Sequence, residues 1–249
     1  MIRVAAMGDI HLGTESRGML RPSLANIADH ADVLLVAGDL THVGDPTEAE
    51  IVAEELAGHD VPVIAVLGNH DHQSDAAEKV TLILEGAGVT MLDGSAIEVD
   101  TESGPLGVAG TKGFGGGFPP AMAAGFGEPE MRAFVATSNR EADALQDALE
   151  SLRCETRVAL THYAPVVDTL AGERPEIYAF LGSIALAEAI DEGSASLAIH
   201  GHAHLGAASG ATPGGVPVMN VAQPVIRAPY TVVGLEDGKV VSLQGPDHG

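Results

Sequence analysis

Val61-Pro62-Val63-Ile64-Ala65-Val66-Leu67-Gly68-Asn69-His70-Asp71 carries an apolar run into a glycine and then into three polar residues that can hold a metal or a proton. An unbroken apolar run of this kind, bounded by Gly and polar residues, reads as a strand of a sheet covered on both faces. The arrangement recurs. Residues 4–7 lead into Gly8-Asp9-Ile10-His11, 33–37 into Gly38-Asp39, 157–160 into Thr161-His162, and 197–199 into His200-Gly201-His202-Ala203-His204. Polar residues with ligating side chains therefore gather at the carboxyl ends of strands, where open α/β sheets form their ligand crevices.

Taken singly, each string has an ordinary explanation. An Asp-x-His after a strand is usually a cap or turn, and Gly-Asp is weaker still. Gly68-Asn69-His70-Asp71 has less turn logic, because Gly68 already supplies the flexible position. The dense histidines at 200–204 could form a pH-sensitive or adventitious patch, but joint occurrence at strand ends favours one shared site. Imidazole with carboxylate and amide oxygen suits first-row ions such as Mn, Fe, Co, Ni and Zn, whereas Mg or Ca sites are all oxygen. Cys154 is the only cysteine, so a thiolate site is excluded and no internal disulfide can form. In extended chain, residues i and i+2 lie roughly 6.6 Å apart on the same side. Asp9 with His11, and His202 with His204, could thus each turn two side chains into one crevice, serving one ion or straddling two.

The ordered set D-x-H, G-D, G-N-H-D, a lone His and G-H-x-H resembles the calcineurin-like metallophosphoesterase family, over most of the chain from Asp9 to His204. The resemblance implies an αββα sandwich of two mixed sheets flanked by helices, and hydrolysis of phosphoesters by a dinuclear site. By motif position it places one metal on Asp9, His11 and His204, a second on Asn69, His162 and His202, and Asp39 as the bridge. It implies that His70 touches the substrate and protonates the leaving group, oriented by Asp71 or another carboxylate. One departure is visible: many members read G-D-x-x-D in the second block, where this chain has His42. His200 is expected to be a core histidine or to support a ligand, His72 to reach substrate or a ligand, and His30, His59 and His248 to be solvated.

The chain of 249 residues, 45% hydrophobic and 19% charged, suits a single α/β domain over 1–249. No apolar run reaches the roughly 18 residues of a membrane helix, and Met1-Ile2-Arg3-Val4 enters a strand without a leader pattern, so the expected location is cytoplasmic. Twelve basic against 35 acidic residues give a net charge of −23. That surface repels nucleic acid and anionic membranes, leaving a small-molecule phosphoester as the expected partner and homo-oligomers open. A small phosphodiester, such as a cyclic nucleotide, is the first expectation, because the motif format resembles the bacterial diesterase branch. A phosphomonoesterase or nucleotidase is the alternative, and a non-catalytic interaction scaffold a third reading that the filled ligand positions oppose.

Helical patterns fall at about 22–30, 46–57, 74–85, 138–151 and 182–192, with Asp45 and Ser138 as cap-region residues and Pro46 in a first turn. Short strand patterns at 217–221, 230–235 and 239–243 suggest antiparallel strands over about 216–244, with Glu236-Asp237-Gly238 as a hairpin signal. A glycine-rich stretch at about 104–130 is expected to be a mobile surface connection or a substrate-side lid, in which Lys112, Phe114 and Phe118 would meet substrate. Segment 163–178, with Tyr163 and Arg174, is a second candidate crevice wall.

Overall fold

The computed structural model describes residues 1–244; His248 lies outside them. The strands in chain order are β1 (Ile2–Met7), β2 (Val33–Ala37), β3 (Val63–Val66), β4 (Thr90–Met91), β5 (Ser95–Thr101), β6 (Gly104–Thr111), β7 (Gly117–Phe118), β8 (Ala121–Met122), β9 (Arg157–Thr161), β10 (Leu197–His200), β11 (Ser209–Ala211), β12 (Pro217–Asn220), β13 (Thr231–Glu236) and β14 (Lys239–Gln244). The helices are α1 (Ile27–His30), α2 (Pro46–Leu56), α3 (Ala77–Gly86), α4 (Pro129–Ser151), α5 (Tyr178–Leu181), α6 (Ile184–Glu192) and α7 (Gln223–Ile226).

Two sheets of six strands face each other. The first has the order β14-β13-β1-β2-β3-β4, with β1 to β4 parallel and the β13–β14 hairpin antiparallel beside β1. The second has the order β11-β12-β10-β9-β6-β5, in which β12, β10, β9 and β6 are parallel and the edges β11 and β5 antiparallel. Alternation along each strand explains the unbroken apolar runs. Val4 and Ala6 of β1 meet Val158, Leu160 and Ile199 between the sheets, while Ala5 and Met7 face outward to Val52, Leu56 and Leu84 of α2 and α3. On the far side, Ala159 and Ala198 pack under Leu145 and Leu149 of α4 and Leu186 and Ile190 of α6. The result is the expected αββα sandwich, with both faces of each sheet covered.

Several sequence expectations are corrected. Residues 104–111 are no surface connection: they form β6, between β5 and β9, with Leu106 and Val108 in the inter-sheet core. Small residues hid a strand whose partners supply the bulk. Helix α4 begins at Pro129 rather than near Ser138, because its first half is largely exposed and lacks an apolar stripe, and the start signal is Pro129 in the first turn. Ser138 is no cap; it sits buried inside α4 and donates to Ser183 Oγ at 3.1 Å. Residues 22–30 split into a 3₁₀ turn (Arg21–Leu24) and the short α1. Strand β12 is parallel to β10, whereas its pairing with β11, the β13–β14 hairpin and the pairing of β13 with β1 are antiparallel. That hairpin turns at Asp237 and Gly238, both at positive φ (48° and 68°), as a tight two-residue loop requires. Asp45 does cap α2, accepting from the Thr47 N–H at 2.8 Å.

A buried carboxylate ties α2 to the first sheet's loop. Glu55, 2% exposed, accepts from the backbone N–H groups of Gly18, Leu20 (2.9 Å) and Arg21 (2.7 Å). Burial pushes its pKa up, but these three donors and the Arg21 charge bring it below the ordinary value. Removing the acceptor strands three amides. Glu55→Ala is expected to cost about 2–4 kcal/mol, read as a lower denaturant midpoint with an unchanged slope; a loss below about 0.5 kcal/mol, the range of neutral surface changes, would show that water satisfies these amides.

Candidate active site

Five parallel strands, three from the first sheet and two from the second, end at one rim of the sandwich. After β1 come Asp9 and His11, after β2 Asp39, after β3 Asn69 and His70, after β9 His162, and after β10 His202 and His204. The first two loops are zipped together, Asp9 N–H to Gly38 O (3.0 Å), His11 N–H to Asp39 O (3.0 Å) and Leu12 N–H to Leu40 O (2.9 Å). The extended i, i+2 geometry expected for Asp9 and His11 is not what positions them. Asp9, His11, Asp39 and His202 all have left-handed backbone (φ 56°, 42°, 50° and 68°). Such φ values cost an ordinary residue about 1–2 kcal/mol and are held here by the surrounding hydrogen bonds.

Glycine lets the loops converge. Gly38, at φ +80°, lies so close to the His162 ring that a Cβ would stand 2.5 Å from Nδ1. A Cβ on Gly68 would strike Asp39 at its carboxylate and at its amide nitrogen.

The side chains form three overlapping groups whose ligand atoms lie within 4.8 Å of one another: Asp9, His11 and His204; His11, Asp39 and His70; and Asp39, His162 and His202. His204 Nε2 sits 2.8 Å from Asp9 Oδ1, and His162 Nε2 lies 2.9 Å from Asn69 Oδ1 and 3.4 Å from Asp39 Oδ1. The Ala37 carbonyl, 2.9 Å from His162 Nδ1, can only accept, so the proton is on Nδ1 and the Nε2 lone pair faces the cluster. His11 Nε2 is buried and has no hydrogen-bond partner, 3.7 Å from Asp39 Oδ2. A buried ring nitrogen without a hydrogen-bond partner and close to a carboxylate suits a metal ligand, and this donor set fits a pair of metal ions.

The electrostatics suit ligation, which needs neutral imidazole and ionised carboxylate. Burial lowers the pKa of His11 and pushes His202 down to about 3 and His200 down to about 4. Burial works against ionised Asp9, but the hydrogen bond and charge of His204, the charge of His162 and the His202 N–H together hold it below the usual carboxylate range. The bond to Asp9 raises His204. His200 is a core histidine, between the Gly201 carbonyl (2.7 Å) and Thr169 Oγ1 (2.8 Å).

Around the cluster, some expectations change. Asp71 does not orient His70. Fully buried, it accepts from Leu40 N–H (3.2 Å), Thr41 N–H (2.8 Å), Thr41 Oγ1 (2.5 Å) and Gly68 N–H (2.8 Å), clamping the Asp39 loop to the Asn69 loop, and burial raises its pKa. His70 is oriented instead by the main chain: its Nδ1 lies 2.8 Å from the His42 carbonyl. The unexpected His42 thus contributes its carbonyl, while its ring lies edge-on to those of His11 and His70, 6.5 Å from each between centroids. Thr41 was missed, and a hydroxyl following Gly-Asp carries no signal in sequence.

Tyr163 stacks on His202 at 4.5 Å between ring centroids, and burial pushes its hydroxyl up to about 12. Lys112 lies over the Tyr163 and Phe114 rings, and with His72 lines a cleft beside the cluster. Phe114 and Phe118 are packing residues, the first against Phe134 and Tyr163, the second with Leu170 and Leu181. Arg174 is exposed at the start of the turn Pro175–Ile177, and no described contact brings it to the cluster.

A sandwich that gathers aspartate and histidine at the rim of its parallel strands defines a protein with a candidate metal centre. The chain belongs to the calcineurin-like phosphoesterase family, whose pattern matches residues 2–206. Its fold is similar to that of phosphopantetheinyl hydrolase from Mycobacterium tuberculosis, with a TM-score of 0.65 at 17% identity over 88% of each chain. It is also similar to the protein TT1561 of Thermus thermophilus, with a TM-score of 0.58 at 18% identity over 96% of this chain and 97% of that one. No curated protein sequence matches the chain. Among the described residues, no helix is long and apolar enough to cross a membrane.

The glycine contacts make a direct prediction. Gly68→Ala keeps every ligand and is expected to drive the Asp39 carboxylate from its place, so that bound metal, measured by elemental analysis after purification without chelator, falls at least fivefold while far-ultraviolet dichroism is unchanged. Full metal content in that variant would show that the two loops can separate freely.

Proposed function

We propose that the protein hydrolyses a phosphodiester of a small molecule, with cyclic nucleotides among the candidates, in a site that holds two first-row metal ions. The observation that carries this reading is the overlap of the ligand groups, in which His11 links Asp9 and His204 to Asp39, and Asp39 links them to His162 and His202, with His11 Nε2 buried and unpartnered. In this reading Asp9, His11 and His204 hold one ion, Asn69, His162 and His202 the other, and Asp39 bridges. Bound there, ions such as Mn, Fe, Co, Ni or Zn supply Lewis acidity, lowering the pKa of water and neutralising phosphoryl oxygens.

The chain's own groups do the rest. Asp39 fixes the spacing of the two ligand groups, and its Oδ1 accepts from the His70 N–H at 2.9 Å. His70 is the proton donor to the departing alkoxide. With Nδ1–H given to the His42 carbonyl, its Nε2 is the nitrogen left for substrate, 4.0 Å from Asp39 Oδ2, and it donates when the ring is protonated. Asp71 holds the two loops in register and touches no reacting atom.

A diester is favoured by the motif format, which resembles the bacterial diesterase branch. A cleft of about 450 Å³ beside the Asn69 loop, lined among others by Leu67, His72 and Lys112, offers room for one organic arm. The net charge of −23 argues against nucleic-acid substrates. The test is a panel of mono- and diesters assayed with each metal separately; hydrolysis of monoesters alone would overturn the diester reading, and no hydrolysis with any metal would favour a scaffold.

Two variants examine the roles. Asp39→Ala is expected to lose both ions and nearly all activity with the fold retained, whereas two tightly held ions in that variant would refute the bridge. His70→Ala is expected to keep both ions and to slow an alkyl or ribosyl ester by about 10²- to 10⁴-fold, the usual worth of general-acid catalysis, with a far smaller loss on a nitrophenyl ester that leaves unaided. Equal losses on both would make His70 a stabiliser of phosphate charge.

A further inference from the structure

The cleft beside the Asn69 loop has a chemistry of its own. One wall is a single face of α3, since Glu78, Thr81, Leu82 and Glu85 recur at three- and four-residue spacing. The opposite wall is Met91 to Ser95 together with Lys112. It borders the ligand cluster through His72, which feels the charge of Asp39, and through the main chain of Lys112. The Lys112 carbonyl accepts the N–H groups of His162 (3.0 Å) and Tyr163 (3.1 Å), and its ammonium lies 5.3 Å from the Tyr163 ring centroid.

Lys112 is the only lysine or arginine that lines the cleft; burial lowers its pKa, against the nearby charges of Glu141 and Asp93. Its Nζ donates to the Gly113 carbonyl at 2.9 Å, and among the described residues it forms no ion pair. An ammonium has three N–H donors, so two remain for oxygens of a molecule in the cleft. The rest of the lining has the opposite character. Three carboxylates, Glu78, Glu85 and Asp93, stand against that single ammonium, leaving a lining charge of −2. Leu67, Met91 and Leu92 form an apolar floor, and Leu82, 61% exposed, offers an uncovered apolar side chain on the α3 wall.

We propose that this cleft holds one organic arm of the diester and selects an uncharged or cationic, ring-bearing alcohol over an arm that carries a second phosphate. The apolar floor takes the ring, the carboxylates accept its hydroxyl or amino hydrogens, and Lys112 meets the oxygen that joins arm to phosphorus. The inference rests on the diester reading above.

Three 4-nitrophenyl phosphodiesters with the same reacting centre test it on the metal-loaded, unmodified protein: the methyl ester, the thymidine 5′ ester, and the thymidine 5′ ester bearing a 3′-phosphate. The thymidine ester is expected to exceed the methyl ester at least tenfold in kcat/KM, and the added phosphate to remove that gain. In the double variant Glu78→Gln, Asp93→Asn, both exposed positions, the penalty for the 3′-phosphate is expected to shrink at least fivefold. Three esters hydrolysed at like rates, or a penalty that persists in a double variant that melts as the parent does, would overturn the cleft assignment while sparing the diester reading. No hydrolysis of the methyl ester with any metal overturns the diester reading and the cleft with it.

Discussion

Lone pairs brought together without protons between them repel, and the rim of this sandwich brings many together. Asp9, Asp39, Asn69 and His162 bring oxygen or nitrogen acceptors into one small volume, where His204 and the His202 and His70 N–H groups supply only part of the protons these could accept, and His11 Nε2 has no hydrogen-bond partner at all. The arrangement is stable only because the rest of the molecule holds it: two sheets locked face to face by Val4, Leu35, Val158 and Ile199, loops zipped main chain to main chain, and one buried carboxylate, Asp71, gathering four donors from two loops. A cation relieves the repulsion, so the fold stores in the site the affinity it later spends on metal.

Much of this was legible in the sequence because strand and ligand signals reinforce each other. An apolar run that leads into Asp, Asn or His, in four of five cases through Gly, marks both a buried parallel strand and the crevice end of that strand, and the five runs became β1, β2, β3, β9 and β10. The chemistry of the ligand set followed from residue type. What could not be read was conformation that depends on distant partners. Nothing local says that Asp9, His11 and His202 adopt left-handed backbone, since the hydrogen bonds that hold them come from Gly38, Asp39 and Asp9. For the same reason Asp71 read as a partner of its neighbour His70, when its partners lie mostly thirty residues upstream.

The misread of residues 104–111 has a related cause. Periodicity reports a strand through its side chains, and β6 has Gly107 and Gly110 where bulk would be expected, with Leu152 and Cys154 filling the space at the first and Val66 and Leu92 at the second. Composition signalled a loop; packing made a central strand. Helix α4 shows the converse, an element whose first half has a capping proline but no buried stripe to announce it.

The glycines that crowd Asp39 and His162 bear on how relatives of this chain are judged. Gly38 and Gly68 supply no ligand and no proton, yet the space they leave vacant is where the other loops' ligands sit. A relative could therefore retain every aspartate, asparagine and histidine of the set and still be inert through one added methyl group. Activity in such chains is encoded as much by where atoms are missing as by where ligands are kept.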